Sequence, residues 1–143
     1  MRKGSLSSYV VVASSAAILS VAGTTAIRTS QAQPTPAAPA VLLTQPLADL
    51  PGREVRISLL DRAPQASSPP HRHPGHHTFG YVVEGSYEFA VDGAAPRLLK
   101  AGEVFYEPPG ALHSVSRNPS NDARTKIVVF MVADQKSPST VGQ

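Results

Sequence analysis

The chain has no cysteine and no tryptophan, and only five histidines among 143 residues. Without cysteine no disulfide can form, so an exported fold must rest on core packing alone. Lipid attachment through a thiol is excluded for the same reason. No run of lysines or arginines occurs anywhere, which leaves nucleic-acid binding without an electrostatic footprint. Outside the first thirty residues no segment carries the 3.6-residue apolar period of an amphipathic helix, and no long-period repeat is present.

What is present begins with an export pattern. Arg2 and Lys3 open the chain, and the apolar stretch YVVVASSAAILSVAG follows from Tyr9 to Gly23. Ser30 and Ala32 then place small residues at the −3 and −1 positions of a cut after Ala32. The stretch is short and rich in Ser and Ala, which favours a removed signal peptide, residues 1–32, over a membrane anchor. The expected location is therefore exported, periplasmic or secreted. The signal also carries the chain's excess of positive charge. The whole chain has 13 Lys and Arg against 10 Asp and Glu; losing Arg2, Lys3 and Arg28 leaves ten against ten. The mature protein has no net charge to attract phosphate.

The remainder divides simply. Residues 33–48, opening with QPTPAAPA, read as a Pro/Ala-rich linker. Residues 135–143, QKSPSTVGQ, read as a flexible tail. Between them, residues 49–134 read as one all-β domain of short strands: 54–60, 78–84, 86–91, 97–100, 103–107, 113–117 and 125–133. Asp92-Gly93, Ala101-Gly102 and Pro109-Gly110 punctuate them. Strands so short, with turns so close, predict a sandwich or small barrel of antiparallel strands. In SYEFAV, Tyr87, Phe89 and Val91 share one face. The run IVVFMV, 127–132, is apolar on both faces. It fits a central strand buried on both sides, and equally an outer face that packs against a second subunit in a homodimer.

Four of the five histidines lie in HRHPGHH, residues 71–77. His71 and His73 are two apart, so on an extended segment both imidazoles face one point. Pro69-Pro70 stiffens the approach and Pro74-Gly75 breaks the strand after them. A third nitrogen could come from His113. Pro109 and Gly110 fit the central positions of a type II turn, which would reverse the chain and carry His113 inward. The plain alternative is that these histidines are exposed polar residues before a turn.

The segments HRHPGHHTFGYVVEG (71–85) and GEVFYEPPGALHSVSRN (102–118) resemble the two sequence motifs of the cupin superfamily. His71 and His73 match the H-x-H of the first motif, and Gly85 its closing glycine. Gly102, Pro108, Gly110 and His113 match the second, G-x5-P-x-G-x2-H-x3-N, at the family spacing. Asn118 stands one residue late, with Arg117 in its place. Both motifs in order, about seventeen residues apart, cover about a third of the chain. The resemblance implies a small single-domain cupin of the quercetin dioxygenase-like type, a small β-barrel or jelly-roll-like sandwich. It also implies a divalent transition metal (Fe, Mn, Ni, Cu or Zn) held by His71, His73 and His113.

One departure stands out. The resemblance implies a glutamate separated from His73 by three or four residues, where this chain has His77 and Thr78. A threonine hydroxyl is a poor ligand for such an ion and an imidazole a good one. His77 is thus a weaker candidate for the fourth ligand if the loop bulges, and otherwise faces substrate. His76 reads as a surface residue. Glu84, Glu103 and Glu107 read as solvated. Three neutral imidazoles without a carboxylate would leave the ion's charge uncompensated and favour an anionic substrate or hydroxide. Tyr81, Phe89, Tyr106 and Met131 read as core first and, with Thr78, as pocket lining second. The resemblance implies a metal-dependent dioxygenase for a small aromatic or enolic substrate. The rival reading is a non-catalytic cupin of the cell envelope that binds a small molecule or metal.

Overall fold

A computed structural model describes residues 37–143. The expected signal peptide and its cleavage site lie outside the described residues. Ten strands follow in order: β1 (Ala40–Pro46), β2 (Arg53–Arg62), β3 (His71–Arg72), β4 (His77–Glu84), β5 (Ser86–Val91), β6 (Arg97–Lys100), β7 (Val104–Glu107), β8 (Leu112–Arg117), β9 (Thr125–Asp134) and β10 (Val141–Gly142). All pair antiparallel, in two five-stranded sheets of order β1-β2-β9-β4-β7 and β10-β3-β8-β5-β6. Among the described residues there is no helix. The expected all-β sandwich is the observed fold.

Period-two alternation assigns each side chain to a face. On β4, Thr78, Gly80 and Val82 point inward, while Phe79, Tyr81 and Val83 are exposed. On β7, Phe105 and Glu107 are buried, and Val104 and Tyr106 exposed. On β9, Ile127 and Val129 are buried. The inward rows meet in a core of Val82, Tyr87, Phe89, Leu99, Phe105, Ile127 and Val129. Each such side chain contributes about 1.5–3 kcal/mol relative to exposure. The expected Tyr87, Phe89, Val91 face holds: the first two are in the core and Val91 packs against it. Ala90, beside a register shift between Ala90 and Val91, is buried as well, 2% exposed.

Two chain ends behave differently from their sequence reading. The stretch 33–48, expected to be a linker, contains β1, which pairs along β2 from Ala40↔Leu59 to Pro46↔Glu54. The stretch 135–143, expected to be a flexible tail, contains β10, which pairs with β3 at Val141↔Arg72 and Gly142↔His71. Proline and alanine content hid the first. The second is only two residues long, too short for any periodic signal.

The family glycines have local reasons. Gly85 has φ +77°, and a Cβ there would lie 2.4 Å from the Arg124 carbonyl oxygen. Gly110 has φ +74°, and the Ala111 N–H donates to the Pro108 carbonyl at 3.1 Å. Pro109-Gly110 therefore forms the expected type II turn. Asn118 is fully buried. Its Nδ2 donates to the Ala63 and Ala123 carbonyls at 3.0 and 2.8 Å, and its Oδ1 accepts from the Ser120 N–H at 3.0 Å. It fastens the loop before β9 to the end of β2, one residue late in sequence but with every polar atom of its amide used.

Candidate metal centre

Strand pairing brings the distant histidines together. His71 on β3 is the register partner of His113 on β8, and His73 follows two residues after His71. Their ring centroids lie 4.9 Å (His71–His73) and 4.8 Å (His71–His113) apart. One nitrogen from each can be chosen so that all three lie within 4.8 Å of one another, a spacing that could hold one metal ion.

Hydrogen bonds on the outer nitrogens select the tautomers. The His71 Nδ1–H donates to the Pro69 carbonyl at 2.9 Å, and the His73 Nδ1–H donates to the Ser139 carbonyl at 2.5 Å. Each ring therefore keeps the lone pair on Nε2. Such carbonyl contacts are the usual support behind a ligating imidazole. The second comes from the C-terminal segment, which β10 holds in place.

The sequence reading missed the fourth group. Glu107, expected to be solvated, is 2% exposed. Its Oε2 lies 3.3 Å from His113 Nδ1 and 3.7 Å from His73 Nε2. Burial pushes its carboxyl up to about 8, and burial also lowers His113, to about 3, with the neighbouring His71 and His73 adding to the shift. His73 is lowered as well, mainly by burial. At neutral pH the metal-free contact is thus between neutral imidazoles and a largely protonated carboxyl, not an ion pair. Glu107 Oε2 and His113 Nδ1 both lack a hydrogen-bond partner although fully buried. Orphaned buried atoms of this kind cost about 1–3 kcal/mol each unless something else meets them. A divalent cation among three imidazole nitrogens and one carboxylate oxygen fits that requirement.

Glu107 also explains Thr78. The two are register partners across β4 and β7, and both point inward. Thr78 stands at the fourth-ligand position that the cupin resemblance implies for the first motif, 1% exposed and with its hydroxyl unpartnered. The carboxylate has the same face and the same depth, one strand over.

The other expected site residues divide between the two faces of the sheet. Thr78 and Met131 line a partly open cavity of about 550 Å³ together with His71, His73, His113 and Glu107. Phe89 lies behind it, stacked on Phe105 at 4.5 Å and 5.1 Å from the His113 ring. Tyr81 and Tyr106 lie on the outer face of the sheet, beside Phe79 and Phe130. His77 is there too, with its Nδ1 2.8 Å from the Tyr106 hydroxyl. No bulge carries it inward, and the three-imidazole cluster does not include it.

His76, read as a surface residue, is fully buried. Its Nδ1 accepts from the Asp134 N–H at 3.1 Å and its Nε2–H donates to the Pro138 carbonyl at 3.1 Å. It ties the loop after β3 to the C-terminal segment. Replacing it with alanine should cost about 2–3 kcal/mol, from two lost hydrogen bonds and the space vacated. A urea midpoint equal to wild type would contradict this role.

The comparisons with known proteins agree with the fold. The cupin domain family matches residues 58–131, and the chain belongs to it. It is 29% identical over 105 residues to oxalate oxidase GF-3.8 of Triticum aestivum, a match covering 66% of this chain and 45% of that protein. A solved oxalate oxidase in complex with glycolate superposes with a TM-score of 0.56 at 27% identity, over 73% of this chain and 54% of the other. A double-stranded β-helix protein of Klebsiella pneumoniae has the same fold, with a TM-score of 0.61 at 17% identity, over 79% and 90% of the two chains. The chain spans between 31% and 45% of the length of the curated relatives it matches, most of them germin-like proteins.

Proposed function

We propose that this protein is an exported, metal-dependent cupin that acts as a dioxygenase on a small aromatic or enolic substrate. His71, His73 and His113 are its metal ligands, with Glu107 as the carboxylate beside them. The observation that carries the reading is the buried, unpartnered Glu107 oxygen facing His113 and His73 inside a cavity large enough for a small molecule. It supplies the carboxylate that the first motif lacks at Thr78.

A transition metal bound here would supply open coordination positions and charge stabilisation for the reacting oxygens. The chain's own residues do the rest. The Pro69 and Ser139 carbonyls hold two imidazoles in the ligating tautomer. Phe105, Val129, Leu60 and Met131 give the cavity apolar walls. The Tyr87 hydroxyl, 3.4 Å from His113 Nε2 and 2.6 Å from Ser116 Oγ, fixes the third ring from behind. Burial pushes Tyr87 up to about 12, so it stays a neutral hydrogen-bonding group. A homodimer finds support in the exposed apolar face of Phe79, Tyr81, Val83, Val104 and Tyr106.

The test is metal analysis followed by oxygen-electrode screening of the loaded protein with flavonols, catechols and small enols. The expected result is about one metal per chain and substrate-dependent oxygen uptake, reduced by about a hundredfold or more in Glu107→Gln. Stoichiometric metal with no uptake on any substrate sinks the dioxygenase and leaves a metal-binding cupin. Absence of metal sinks the site.

A further inference from the structure

The cavity contains one cation that the chain does not neutralise. Alternate residues of β2, Arg56, Ser58, Leu60 and Arg62, face into it. Arg56 is paired with Glu54 and donates to Ser139 Oγ at 2.7 Å. Arg62 has no such carboxylate partner; its guanidinium lies over the Tyr87 ring, 6.0 Å from the centroid. It is 5% exposed, and among the described residues no aspartate or glutamate forms an ion pair with it. Its Nη2 donates to Ser68 Oγ at 2.9 Å and to Ser116 Oγ at 3.2 Å. Its Nε and Nη1 are buried and meet no acceptor. A guanidinium cannot relieve this by losing its proton. A buried, unpaired charge with idle donors is among the costliest arrangements a fold can keep.

The position of that charge gives it a use. Ser116 Oγ, which accepts from Arg62, also contacts the Tyr87 hydroxyl, and that hydroxyl lies beside His113. The guanidinium therefore sits one pair of hydroxyls away from the imidazole cluster, on the wall of the same cavity. With neutral imidazoles, a divalent ion, an ionised Glu107 and Arg62 sum to two positive charges. An anionic guest in the cavity beside the guanidinium would reduce that excess.

We infer that Arg62 anchors the carboxylate of a small organic acid in this cavity, which narrows the proposed aromatic or enolic substrate to one that carries a carboxylate. The inference rests on the metal-centre reading for the identity of the reaction, but not for the binding itself. Arg62 is a binding residue, and the reacting carbon would lie on the side of the guest nearer the imidazoles.

The experiment measures binding of benzoate, acetate and oxalate to the full chain by calorimetry, each beside its uncharged amide, with and without bound Mn²⁺. At least one carboxylate should bind tenfold or more tightly than its amide, in both forms of the protein. Arg62→Gln should lose about tenfold to a hundredfold of that affinity, the usual range for a hydrogen bond to a charged group. Its metal content should match wild type. Arg62→Lys keeps the charge and should retain most of the preference, and it serves if the glutamine variant fails to fold. Equal binding of every acid and its amide overturns the inference, and so does unchanged carboxylate affinity in Arg62→Gln. Carboxylate preference in a protein that takes up no metal would leave the anchor standing and remove the metal centre.

Discussion

Replacing His71 and His113 together with alanine should lower metal affinity by on the order of a thousandfold or more. Losing a single supporting group behind a ligand already costs about tenfold to a hundredfold. Removing two of three imidazoles leaves His73 and Glu107, which cannot surround an ion. The fold should survive, because neither histidine belongs to the central cluster of Val82, Tyr87, Phe89, Leu99, Phe105, Ile127 and Val129. His73 is the poorer choice for this test, since its Nδ1–H also holds the C-terminal segment at Ser139. Competition against a coloured chelator gives the affinity, and far-UV circular dichroism gives the fold. One metal per chain at wild-type affinity in the double variant would show that the site lies elsewhere.

Most of the architecture was legible because alternation is a strong signal in strands that bury one face. Seven segments were read as strands, and each corresponds to one in the fold, within a residue or two at most ends. The second-motif turn was legible because Pro109 and Gly110 have narrow backbone preferences. What escaped was anything settled by pairing between distant strands. Glu107 shows this well. Its neighbour two positions back, Phe105, is a core residue, and period two puts both on one face. The signal was present, but a glutamate at the end of a strand is usually solvated, and that expectation won. His76 escaped for a related reason. Its burial depends on Pro138 and Asp134, more than fifty residues away and supplied by a segment that composition marks as loose. Arg62 gave no signal at all. An arginine at a strand end looks like any surface cation until the loop carrying Ser68 and the strand carrying Ser116 close over it.

The position of Glu107 makes a second large effect testable. Thr78 and Glu107 face each other across β4 and β7, and directly opposed side chains in such a pair have Cβ atoms about 4.5–5.5 Å apart. A carboxylate moved from one to the other should still reach the imidazoles. Glu107→Thr should therefore weaken metal binding by about a hundredfold, through loss of the one anionic ligand. Thr78→Glu alone should fail to tighten it, because it sets two buried carboxyls side by side and the second ionises only against the first. The double variant Glu107→Thr/Thr78→Glu should recover to within about tenfold of wild type. A purely structural role for Glu107 predicts no such recovery, since the substitution at Thr78 would only add a second disturbance. The pH dependence supplies an independent check. The carboxyl of the metal-free site holds its proton up to about 8, so below that point protons compete with the ion. Wild-type affinity should climb by up to about tenfold per unit between pH 6 and 8. The buried His113, lowered to about 3, is already neutral across that window and adds no slope, and burial shifts His73 in the same direction. Glu107→Gln, which has no proton to lose, should show a flatter profile. A glutamine variant with the wild-type slope would mean that the competing proton sits on another group.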